Sequence, residues 1–184
     1  MKKIILSAGL MLMASSSMFA QKYMTRTGKI SFDATTKASP EKIGAVNNAV
    51  AAILDAKSGD FVFQVLIKSY TFENNLMQTH FNENYMESDK FPKSEFKGKI
   101  SNIGDVHFDK DGTYNVTVTG KITIHNVTKD VSVPGTITVK GKDAVAKAKM
   151  NITLGEYGIT VPAVVGDKVA KTATVTIEAN MSQK

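Results

Sequence analysis

Three histidines are where a search for chemistry in this chain begins, because it contains no cysteine. Without a thiol there is no thiolate nucleophile, no disulfide, no thiolate metal site and no lipidated cysteine anchor. His80, His107 and His125 are far apart in sequence, and none sits in a ligand spacing such as H-E-x-x-H. His107 and His125 adjoin turn sequences, and His125 has the parity of polar neighbours, so both are expected in solvent. Only His80 falls in an unusual segment. Glu83 and Glu87, four residues apart, would share one helix face, the arrangement that paired acid/base work requires. Like charges at that spacing more often form a solvated face. Asp109-Lys-Asp-Gly112 resembles the start of a calcium loop but lacks the remaining ligands and the closing Glu, and reads as a hairpin turn. No nucleophile elbow or phosphate-binding glycine loop occurs. The expectation is a protein without catalytic residues, metal or cofactor. The enzymatic alternative would have to use His80 with Glu83 or Glu87.

The elements that would carry these residues are mostly strands. Tyr114, Val116, Val118, Ile122 and Ile124 share one parity, and Asn115, Thr117, Thr119, Lys121 and Thr123 the other. Such alternation makes a strand with one buried face. It recurs through Val131, Val133, Ile137 and Val139, through Ala144 to Leu154, and through Val175, Ile177, Ala179 and Met181. Segments 29–34, 61–70 and 95–101 fit the same scheme, with turn residues at 125–128, 140–143 and 155–158. Gly98, Gly120 and Gly135 interrupt strand patterns, where a bend or bulge would justify them. Residues 40–54 are ambiguous: Ile43, Val46, Val50, Ile53 and Leu54 have helical spacing, yet Asp55-Ala-Lys-Ser-Gly59 reads as a hairpin loop leading into the next strand. Residues 75–90 do not alternate and read as a short helix ending before Phe91-Pro92. About eight antiparallel strands with one helical insertion around 75–90 make an all-β up-and-down barrel or a sandwich. The many small residues of interior parity leave space that large rings or a ligand must fill.

Lys2 and Lys3, the apolar run Ile4 to Met13 and the Ser15 to Ala20 stretch have the layout of a secretory signal peptide. The expected organisation is a cleaved leader over 1–20 and a single domain over 21–184, exported to the periplasm. Removing the two lysines lowers the formal charge from +6 to +4. The remaining lysines are scattered and Arg26 is the single arginine, so the concentrated basic patch of a nucleic-acid-binding protein is missing. Lysines on outer strand faces oppose edge-to-edge pairing instead.

The run His80-Phe-Asn-Glu-Asn-Tyr-Met-Glu-Ser-Asp-Lys-Phe-Pro-Lys-Ser-Glu-Phe-Lys-Gly98, followed by Gly120-Lys-Ile-Thr-Ile-His-Asn-Val-Thr-Lys129 and the last alternating strands, resembles the YceI family. That group comprises exported bacterial lipid-binding proteins. The resemblance extends over about 24–182. It implies an extended eight-stranded antiparallel lipocalin-like barrel, with a β-hairpin at 45–54, enclosing a polyisoprenoid or similar amphiphile without catalysis. Where familiar members place an Arg-Asp pair before the histidine, this chain has Met77-Gln78-Thr79, and its Asn82-Glu-Asn-Tyr-Met-Glu-Ser88 run resembles a subgroup variant. On this reading the cavity would be lined by Phe61, Phe63, Val65, Ile67, Phe96, Ile100, Val116, Val118, Ile122, Val133, Ile137, Met150 and Ile177. His80, Asn84 and Tyr85 would border its mouth. The implied partner is an isoprenoid quinone or polyprenyl lipid. No nucleic acid and no stable membrane anchor are expected, and a homodimer is compatible with the sequence without being required by it.

Overall fold

The computed structural model describes residues 21–184; the leader expected over 1–20 lies outside them. Eight strands form one closed antiparallel barrel in sequence order: β1 (Lys22–Thr35), β2 (Gly44–Asp55), β3 (Asp60–Leu66), β4 (Lys93–Ile100), β5 (Gly112–Ile124), β6 (Val127–Lys140), β7 (Asp143–Thr153) and β8 (Val169–Gln183). Closure comes from the pairing of β1 with β8, for example Ile30 opposite Ile177. The barrel rather than the sandwich is therefore the answer to the alternation. Inward residues such as Val133, Ile137 and Val139 are buried, while Ser132 and Lys140 face out.

The ambiguous stretch 45–54 is strand β2, and its register explains the helical spacing. The pairing with β1 shifts between Gly28 opposite Val50 and Ile30 opposite Asn47. Below this irregularity Val50, Ala52 and Leu54 are buried, and above it Ala45 and Asn47 are. One extra residue therefore reverses the parity mid-strand. Val46 and Ile53, counted as helix-face residues from the sequence, point outward. Asn47 is fully buried at this point. Its side-chain amide donates to the Leu66 carbonyl at 2.9 Å and its Oδ1 accepts from Ala49 N–H at 2.8 Å, so neither end is left unpaired.

Gly98 and Gly120 are directly opposed in the β4–β5 register. A Cβ on Gly98 would fall on the Thr119 carbonyl oxygen and 2.5 Å from Cζ of Phe96, whose ring lies over the glycine. Close backbone approach, rather than an unusual dihedral angle, is what demands glycine at this pair.

Connections at the two ends differ. At one end the turns after β2 and β6 are short, and residues 101–111 fold beneath the barrel. The Asp109–Gly112 turn belongs to this long connection and is not a tight hairpin as the sequence suggested. At the other end lie the β1–β2 loop, the insertion 67–92, the β5–β6 turn and the long β7–β8 connection. Strand β3 ends at Leu66, earlier than the expected 70, and a 3-10 turn over Ile67–Ser69 leads into the insertion. There Asn74 caps the helix α1 (Asn75–His80), its Oδ1 accepting from Leu76 N–H at 2.9 Å, and a π turn over Phe81–Tyr85 follows. The β5–β6 turn is the two-residue His125-Asn126, both at positive φ, which matches the strand twist.

Candidate functional site: a blind apolar cavity

The inward faces enclose a cavity of about 450 Å³ that runs from the α1 end deep into the barrel. Every residue expected from the sequence to face it is on its wall. Phe61, Phe63, Val65 and Ile67 come from β3 and its continuation, and Phe96 and Ile100 from β4. Val116, Val118 and Ile122 come from β5, Val133 and Ile137 from β6, Met150 from β7 and Ile177 from β8. Phe61 packs against Phe63 and Phe96 with ring centroids 6.4 and 6.2 Å apart. Across the barrel Ala146 and Ala148 leave the open space.

The lower end is solid. Tyr23, Val139, Ala144, Ala179 and Met181 are buried to 2% exposure or less, yet none borders the cavity, so they fill the section between it and solvent. Phe108, carried by the 101–111 connection, stacks on Tyr23 at 5.0 Å. The upper end is the mouth. Its rim combines Pro40 and Glu41 from the β1–β2 loop, Asn74, Leu76, Met77 and His80 from the α1 region, and Val165 and Lys168 from the β7–β8 connection. Leu76 is 62% exposed although it borders an apolar cavity.

Sequence reasoning missed the aromatic cluster that seats α1 over the mouth. Phe81 lies 5.4 Å from Phe32, 5.4 Å from Tyr70 and 5.1 Å from Phe72, centroid to centroid, and all four rings border the cavity. The even parity of Ile30, Phe32 and Ala34 marked Phe32 in the sequence. Tyr70 and Phe72 lie beyond the end of β3, where no period applies. Tyr70 is buried at 7% exposure, and burial pushes its phenol well above the ordinary range.

Of the polar rim residues expected from the sequence, His80 and Tyr85 border the cavity. Asn84 does not; its amide meets His80 Nδ1 at 3.0 Å on the exposed side of the insertion. Glu83 and Glu87 do not form a carboxylate pair, because the helix has ended before Glu87, which has φ 41°. Glu87 instead pairs with Lys90 and with Nε2 of His125 at 3.2 Å. The Lys90 hydrogen bond, and secondarily His125, hold the Glu87 carboxyl below the usual carboxylate range. His125 is correspondingly not the solvent-exposed side chain expected: 12% of its side chain is accessible, its Nδ1 is 3.2 Å from the Tyr157 carbonyl, and Phe91 stands edge-on to it at 4.6 Å. The error came from reading parity into a turn. Among the described residues no group of three or more His, Asp or Glu is arranged to hold a metal ion.

An up-and-down barrel around an apolar cavity defines a lipocalin-like class of protein. The YceI-like domain family matches residues 13–181, and the chain belongs to that family. Among solved structures, a polyisoprenoid-binding domain from Saccharophagus degradans, implicated in plant cell wall breakdown, superposes with a TM-score of 0.76 at 8% identity. The match covers 89% of this chain and 98% of that one. Burkholderia cenocepacia BcnA gives 0.67 at 15% identity over 84% and 96% of the two chains. A Campylobacter jejuni YCEI protein gives 0.52 at 18% over 73% and 82%. These similarities establish the fold. No curated protein matches the chain.

Proposed function

We propose that the protein is a non-catalytic binding or carrier protein that holds the apolar tail of an isoprenoid-type lipid, an isoprenoid quinone or a polyprenyl compound, inside the barrel. The observation that carries this reading is the cavity itself: an open upper end, a packed floor, and walls of aliphatic and aromatic side chains. A water-filled apolar space of this size in a barrel core is unfavourable, and a hydrocarbon chain relieves it. At ~25 cal/mol per Å², enclosing about 300 Å² of chain contributes roughly 7 kcal/mol before the cost of ordering the ligand. No charged anchor is needed at that magnitude. The family to which the chain belongs, and the polyisoprenoid-binding neighbour, support the same class of ligand.

Export to the periplasm belongs to the same reading and rests on the leader-like residues 1–20. Fractionation of the native host with N-terminal sequencing tests it: a mature chain starting near Gln21 in the periplasmic fraction is expected, and an intact Met1 in the cytoplasm would contradict it. For the ligand, protein purified from its host is extracted with organic solvent and the lipids are identified by mass spectrometry. A prenyl lipid in the extract is expected. An empty extract together with no binding of added quinones or prenyl alcohols would end the carrier reading.

A further inference from the structure

Tyr70 is the most buried phenol on the cavity wall. Its ring meets Phe32 at 5.6 Å and Phe81 at 5.4 Å, both edge-on, with no charged side chain in that aromatic group. The Tyr70 backbone N–H bonds the Ile67 carbonyl, but the hydroxyl has no hydrogen-bond partner among the described residues, and burial alone raises its pKa. Buried phenols usually satisfy this group; Tyr23, fully buried at the floor, does so with Gln21 at 3.0 Å, whereas Tyr157, buried outside the cavity wall, shares the lack of a hydroxyl partner among the described residues. Nor is the Tyr70 hydroxyl sealed in protein: among the described residues the fully enclosed side-chain polar atom without a partner is Asn82 Oδ1. The Tyr70 oxygen therefore keeps some accessible surface, on a residue that borders the cavity. A phenylalanine would pack there equally well, so the oxygen has a polar cost and no internal return.

We propose that Tyr70 is the head-group donor of this cavity, giving its phenolic proton to a neutral oxygen acceptor, a quinone or ketone carbonyl or an alcohol, on a lipid whose tail runs down toward the Tyr23–Met181 floor. This rests on the carrier reading and narrows it. An anionic diphosphate would lose its hydration beside four aromatic rings without a cation to replace it, which disfavours that head group at this depth. The phenol stays protonated throughout the physiological range, so it remains a donor. Tyr85, the other phenol on the wall, is only half-buried and can exchange with water at the rim.

The test compares wild type and Tyr70→Phe, which keeps the ring and its packing, against two probes of similar length in a displacement assay: geranylgeranylacetone, a neutral ketone, and phytane, a hydrocarbon. The substitution is expected to weaken ketone binding about fivefold, the effect of one hydrogen bond, and to leave phytane unchanged. Unchanged affinity for both probes, or an equal loss for both, would overturn the anchoring role while leaving the carrier reading intact. Failure of the wild type to bind either probe would overturn both.

Discussion

At the scale of single residues, the buried polar groups separate into those that hold the barrel and those that face its contents. Asn47 belongs to the first kind: fully buried at the β2 irregularity, it spans to the Leu66 carbonyl where β3 leaves the sheet. Asn47→Ala leaves that carbonyl unpaired and is expected to cost about 1–3 kcal/mol in urea unfolding with little change in ligand affinity. Glu87 ties the end of the insertion to Lys90 and to His125 of the β5–β6 turn. Because Lys90 and His125 depress its carboxyl, the interaction is complete above the ordinary carboxylate pKa of about 4.3 and is lost as pH falls through the lower folded value. The Met86 methyl signal, followed by NMR, is therefore expected to shift as pH falls below the ordinary carboxylate range, and Glu87→Gln should abolish that acidic shift. An unaltered titration in that variant would remove Glu87 from the account. The His125 partner could not be read from sequence, since the fold that brings Glu87 to the β5–β6 turn joins residues distant in the chain.

At the scale of elements, what was legible followed the period of two. In strands β5 to β8 the alternation is broken only at Gly120 and Gly135, and it points Val116, Val133, Ile137 and Ile177 inward directly. Irregularity erased the signal elsewhere. The register shift near Val50 gave β2 a helical spacing, and the wall residues Tyr70, Phe72 and Phe81 lie in an insertion with no strand period. The Gly98–Gly120 pair was visible as a disruption, but its cause, contact with the Thr119 carbonyl and the Phe96 ring, needs the register. Gly98→Ala is accordingly expected to destabilise by about 1–3 kcal/mol as the β4–β5 ladder shifts; a stability equal to wild type would contradict the close approach. Phe81 clamps α1 onto the barrel through three rings. Phe81→Ala should cost somewhat less than the about 3–5 kcal/mol of a fully buried phenylalanine, because Phe81 is half-buried, and should accelerate ligand release in stopped flow.

For the molecule as a whole, the packed floor makes the barrel a container of fixed depth. Inward positions on its wall run from Val131 to Ile137 on β6 and from Val169 to Ile177 on β8. At about 3.3 Å per residue and a tilt of roughly 40°, these spans give a depth of about 15–20 Å. With bonds of about 1.5 Å in a zigzag, some 12–16 chain carbons fill that length, or three to four prenyl units. Affinity should therefore rise from geraniol to geranylgeraniol and then level off for longer prenyl alcohols, whose ends must stay outside. Ala146 lies opposite Ile137 near the bottom, and Ala146→Leu should shift the plateau to a shorter chain. The most direct test of interior binding is native mass spectrometry of delipidated protein titrated with geranylgeraniol, beside a Val133→Trp variant whose ring occupies the cavity. One lipid per wild-type chain, with binding by the folded variant reduced at least tenfold, is the expected result. Equal binding by the two proteins, or several lipids per chain without saturation, would place the lipid on the outer surface and contradict the account.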